Sequence, residues 1–195
     1  MYITVITGLW VSILLFLTIR FIRILFKMRQ TVVFPLTEVE WNSIQVHPNK
    51  TVGKPDLSHQ KMAVWGNGLV IFFITVWIVV ETFLLKRHFP AAIVFAPILW
   101  NLPKLWNLFA FLKQGIVCGN RFIPWNRLES YQFIQIDKHH RYYGYSPELN
   151  EGYELLIHTK FSEVSCLVTT ESVKQKLILL LEEQLKIHQT RPIGM

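Results

Sequence analysis

The chain has 195 residues, of which 51% are hydrophobic and only 17% charged; an ordinary soluble domain carries about a quarter of its residues as charges, so the excess points to lipid contact. The formal net charge is +7, which suits either nucleic acid or an anionic membrane surface. Many of the basic residues flank apolar runs, and neither a Lys/Arg arm nor a nucleic-acid fold motif is present, so the membrane reading prevails and nucleic acid is excluded as a partner. Cys118 and Cys166 lack the spacing of a metal knuckle and are too few for a disulfide framework. They read as reduced, small, buried residues.

The first apolar run, residues 3–19, has no charge and is followed by Arg20, Arg23, Lys27 and Arg29. A cleaved signal peptide would carry its cations before the run, so this is an uncleaved anchor with its basic end in the cytosol. The predicted helix covers 1–26. A cytoplasmic connector follows over 27–62, in which Thr37 and Glu40 have capping-box spacing and predict a short helix. Residues 47–56, punctuated by Pro and Gly, read as loop. Residues 63–112 hold two further apolar runs separated by Lys86, Arg87 and His88, and predict a transmembrane hairpin. The chain then crosses three times, with the N-terminus outside and everything after Lys113 cytoplasmic. Pro97, Pro103 and Lys104 interrupt the last run. Residues 104–112 therefore read either as the end of the third span or as an amphipathic helix lying on the membrane surface.

The stretch GIVCGNRFIPWNRLESYQF at 115–133 cannot continue the membrane helix, because Gly115, Gly119, Asn120, Pro124 and Asn126 break it. It predicts a strand, a tight turn and a second strand, with a further strand after Leu128. Residues 153–160 and 164–170 alternate in the same way. Ser172 and Gln175 have capping-box spacing ahead of an amphipathic helix over 173–188. Its apolar stripe is Val173, Leu177, Leu180, Leu181 and Leu185. The fold class predicted is thus α+β: three N-terminal transmembrane helices, then a small antiparallel sheet over 113–195 closed by a C-terminal helix.

The Gly turn, Ile123-Pro124-Trp125, Leu128 entering the next strand, the later strand pair and the terminal helix together resemble the bacterial pleckstrin-homology-like domains, in particular the YcxB-like group. The resemblance covers about the last 80 residues. It implies a membrane-anchored domain with a pleckstrin-homology-like fold and carries no biochemical activity with it.

Glu81 is the one acid within an apolar run, and an intramembrane acid is a candidate functional residue. In a straight hairpin Lys104 would lie roughly 16 Å from it. Its expected partners are Lys86, Arg87 and His88, in an interfacial structural role. Asp137, His139 and His140 read as solvated loop, because adjacent side chains of an extended chain diverge and no further ligand can be named. The surrounding DKHHRYYGYS (137–146) mixes cations and tyrosines. Lys138, Arg141, Tyr142 and Tyr143 are its candidate contacts to a headgroup or a protein partner. Pro124 and Trp125 read as structural, the indole anchoring the core of the small domain. No nucleophile elbow, phosphate-cradling loop, zinc-protease motif or acid pair appears, and no cofactor is implied. The leading expectation is a non-catalytic regulatory, scaffold or immunity-type membrane protein with a cytoplasmic binding module. The alternative is a small transporter, channel component or membrane enzyme working through Glu81.

Overall fold

The computed structural model describes residues 2–48, 50–56, 58–81, 96–160 and 162–189. The chain divides into two units. The first takes residues 1–29 and 56–106, and the second takes 30–55 and 107–195.

In the first unit, α1 (Tyr2–Met28) packs against α3 (Lys61–Val79), which packs in turn on a 3₁₀ turn, Leu102–Leu105, that follows α4 (Ala96–Asn101). The close approach falls at Gly66, where a Cβ would stand 3.0 Å from Leu105 Cδ1. Phe21 and Trp106 add a tilted ring pair at 6.3 Å. Four polar side chains of α1 and α3 turn back on their own backbones. Ser12 donates to the Gly8 carbonyl, Thr18 to Leu14, Asn67 to Ala63 and Thr75 to Ile71, at 2.7–2.8 Å. Such internal satisfaction is what a helix requires where water is absent.

The second unit holds two antiparallel sheets. One has the order β1 (Val32–Phe34), β4 (Phe109–Leu112), β5 (Gly115–Cys118), β6 (Arg121–Pro124). The other runs β3 (Lys50–Thr51), β2 (Ile44–His47), β9 (Ser162–Val168), β8 (Tyr153–Thr159), β7 (Leu128–Gln135). Gly119, at φ +56°, gives the short β5–β6 turn a conformation that costs a side-chain-bearing residue more. Gly115 is needed for space, since a Cβ there would stand 2.1 Å from the Ile123 carbonyl oxygen. The core joins both sheets. Phe111 meets Trp125 edge-on at 5.4 Å and Phe34 at 6.0 Å, while Ile44, Leu155, Ile157, Cys166 and Val168 are fully buried. The amphipathic α6 (Glu171–Gln189) closes the unit with Val173, Leu177 and Leu181 buried. It begins one residue before the expected Ser172 cap, with the Glu171 carboxylate accepting from Gln175 and Lys174.

Several expectations are corrected. Only two helices among the described residues, α1 and α3, are long and apolar enough to cross a membrane, so the three-helix layout does not hold. The apolar run ending at Leu112 does not finish as a span or as a surface helix. Its last residues are β4, buried on both faces between β1 and β5. A strand buried on both faces reads as an unbroken apolar run, which a hydropathy window cannot tell from a membrane segment. Residues 30–55 of the connector fold into the second unit, supplying β1, β2, β3 and the expected capped helix, α2 (Glu38–Asn42). Among the described residues there are two open sheets, neither sheet closes into a barrel, and a pleckstrin-homology-type fold is not formed.

Candidate functional site

The 137–152 loop is held at its base and on its inner side. Ile136 N donates to the Gly152 carbonyl at 3.0 Å, and His139 N donates to Asp137 Oδ1 at 2.9 Å. Ser146 caps the short helix α5 (Pro147–Asn150), and Gly144 N donates to Asn150 Oδ1 at 2.7 Å. Beneath the loop, Ile136, Leu149 and Leu167 form a buried cluster against which Tyr142 packs.

The chemical centre of this loop is Glu154, which projects from β8 and is 3% exposed. One carboxylate oxygen bonds the Arg141 guanidinium, and the other lies 3.0 Å from His140 Nε2. Tyr142 N donates to His140 Nδ1 at 3.3 Å. Nδ1 therefore accepts, Nε2 carries the proton, and the imidazole donates it to Glu154. Arg141 lies 4.7 Å over the Tyr142 ring, and Tyr142 meets Tyr145 edge-on at 6.2 Å. The bond to Glu154 raises the Arg141 pKa further. A buried carboxylate is tolerable only when paired and hydrogen-bonded, and here the pairing fixes the loop.

The four loop residues singled out by sequence thus divide. Arg141 and Tyr142 build the loop, whereas Lys138 and Tyr143 face solvent, joined by His139 and Tyr145. His140 is not solvated as expected: its side chain is 12% exposed, against the carboxylate. Glu154 was not singled out from sequence, since its role arises only when the loop folds back over the strand that follows it.

Trp125 is buried at the start of a 3₁₀ turn after Pro124, and its Nε1 donates to the Leu112 carbonyl at 3.2 Å. Glu81 is half-buried in a π-turn just past α3. Its expected partners Lys86, Arg87 and His88 lie outside the described residues. Lys104 Nζ donates to Asn101 Oδ1 at 3.0 Å.

A second buried acid also went unforeseen in part. Glu40 completes the predicted capping box, accepting from Leu36 N at 2.8 Å and Thr37 N at 3.1 Å, and it pairs with Lys176 of α6 at 2.6 Å. Burial pushes its carboxyl upward, but the Lys176 ammonium and the two backbone donors outweigh that and hold it at about 2. Burial pushes the Cys118 thiol up to about 12 against the opposing pull of Arg121, and burial, with Cys118 and Glu154 nearby, raises Cys166 well above its ordinary value. Neither is a nucleophile at neutral pH. Among the described residues no group of His, Cys, Asp and Glu is arranged to hold a metal ion. No family model, no curated protein and no solved structure matches this chain, and the likeness to the YcxB-like domains gains no support from them.

Proposed function

We propose that the chain is a membrane-anchored, non-catalytic binding module. Its second unit faces the cytosol and uses the rigid 137–152 loop to hold a protein partner. The loop's pinning by Glu154 carries this reading. Tyr143 and Tyr145 are 40% and 53% exposed on a backbone already ordered, so contact through them loses little conformational entropy. Rigid exposed tyrosines beside a cation are the composition of a protein-binding surface. An anionic bilayer is the poorer partner, because Lys138 and Arg141 share the loop with Asp137, Glu148 and Glu151.

The membrane reading rests on exposure. Only 6% of the apolar window of α1 and 17% of that of α3 is buried within the protein, whereas the core helix of a soluble protein is mostly covered. Phe16, Phe26, Trp65 and Phe72 face outward, and lipid is the solvent that suits them. Arg20, Arg23, Lys27 and Arg29 at the end of α1 favour a cytosolic exit. Residues 30–55 and 107–195 fold as one unit, with β1 paired to β4 and β2 to β9. Whatever path residues 56–106 take through a bilayer, they begin and end on the same side.

The test places a photo-crosslinking amino acid at position 145 of the full chain in its native membrane. The expected product is a discrete protein adduct, reduced at least about tenfold by Lys138→Ala combined with Tyr143→Ala. Adducts with lipid alone, or an adduct indifferent to those changes, would count against the proposal.

A further inference from the structure

Among the described residues the two sheets have four edges, and three are guarded. β3 is two residues long, and β1 is three residues long and followed by Pro35. β6 is four residues long, carries Arg121 and ends in Pro124. Shortness, proline and charge are the usual means by which an edge avoids pairing with another strand. The fourth edge, β7, is eight residues long, LESYQFIQ, with no proline and no lysine. Its single charge, Glu129, sits in the irregularity between Leu128 and Ser130 at one end.

The direction of its free groups follows from the ladder. Ile136 N donates to the Gly152 carbonyl at 3.0 Å, on the β8 side. Backbone groups alternate along an antiparallel strand, so Gln132 and Ile134 also turn theirs to β8, while Tyr131, Phe133 and Gln135 turn theirs outward. Among the described residues no backbone hydrogen bond meets that outer edge. Glu129, Gln132 and Gln135 are exposed.

We infer that β7 is the self-association edge of the protein: two copies pair β7 to β7, antiparallel, about a twofold axis at Gln132. This register sets Tyr131 of each copy opposite Phe133 of the other as a hydrogen-bonded pair. The Tyr131 and Phe133 rings already meet edge-on at 6.0 Å within one copy, so the axis gathers both pairs on one face, an arrangement that favours cross-strand association. Ser130 falls opposite Ile134, and no like charges meet. Moving the axis to Phe133 would set Glu129 against Asp137, and moving it to Tyr131 would draw the irregular Glu129 into the central ladder. The second copy is favoured over a foreign strand because the sequence of the edge is complementary to itself. The inference does not depend on what the 137–152 loop binds.

Gln132 meets its own symmetry mate as a non-hydrogen-bonded pair, with Cα atoms about 4.5 Å apart, within disulfide reach. In native membranes, mild oxidation of the full-length Gln132→Cys protein should give a disulfide-linked dimer. The unaltered chain, with its buried thiols, and Glu151→Cys should give none. In a second measurement, two differently tagged copies are co-expressed. Gln132→Lys should lower mutual capture at least about tenfold, as should Gln132→Glu, and one Lys copy with one Glu copy should restore it. Absence of the Gln132→Cys dimer, equal crosslinking at Glu151→Cys, a crosslink to a different protein only, or capture unchanged by Gln132→Lys would each overturn the inference.

Discussion

The two units hold apolar residues in opposite ways. In the second, Phe109, Phe111, Leu112 and Trp125 are enclosed by other side chains; in the first, Phe16, Phe26, Trp65 and Phe72 point away from the protein. The residue types are the same, and the difference lies in what surrounds them. Apolarity therefore identifies a residue that avoids water without saying whether protein or lipid covers it. Phe109–Leu112 and α3 are alike in hydropathy and differ wholly in fate.

Matched truncations test this contrast most severely. Phe111→Ala or Trp125→Ala should destabilise the second unit by about 3–5 kcal/mol, read by chemical denaturation in detergent. Phe16→Ala and Phe72→Ala should stay within about 0.5 kcal/mol. Equal costs would erase the distinction between the two regions.

Polar groups sharpen the same comparison. In the first unit Ser12, Thr18, Asn67 and Thr75 bond within their own helix; in the second, the buried carboxylates of Glu40 and Glu154 tie separate elements together. Glu40→Gln breaks the tie to Lys176 and should cost up to about 3 kcal/mol, the equivalent of a carboxyl held at about 2 instead of 4.5. Because the folded-state value is the lower one, this stabilisation is fully present above about pH 4.5 and is lost as pH falls toward 2. The stability difference between the native chain and Glu40→Gln should shrink through that window. A difference independent of pH would show that Glu40 acts otherwise.

Arg141→Met leaves Glu154 with His140 alone and should cost about 2–3 kcal/mol, below the full value for a buried pair because the arginine side chain is 61% exposed. Tyr145→Ala, at the same loop's surface, should change stability by no more than about 0.5 kcal/mol. Thermal unfolding of the two variants side by side checks both values.

What was legible in the sequence was local. The Gly119-Asn120 turn announced the β5–β6 hairpin, alternation announced β8 and β9, the Thr37–Glu40 spacing announced α2, and the leucine stripe announced α6. What was not legible depended on contacts across the chain. The strands β1, β2 and β3 are too short for periodicity, and the pairings that bring β1 and β2 into their sheets reach more than seventy positions along the chain: Val32 opposite Leu112, and Ile44 opposite Val168. In the candidate site, the tyrosines and cations were visible as a cluster. Arg141's commitment to Glu154, and the consequent division of the loop into built and exposed residues, required β8 to be brought beneath it.

The central claim is that the second unit lies wholly in the cytosol, with lipid covering the first. Glu38→Cys and Glu182→Cys place single exposed thiols on the two stretches that co-fold across residues 56–106, while Cys118 and Cys166 are buried. A membrane-impermeant maleimide applied to intact cells should label neither, and should label both once the membrane is permeabilised. Labelling of either in intact cells, or a different response from the two sites, would contradict the account.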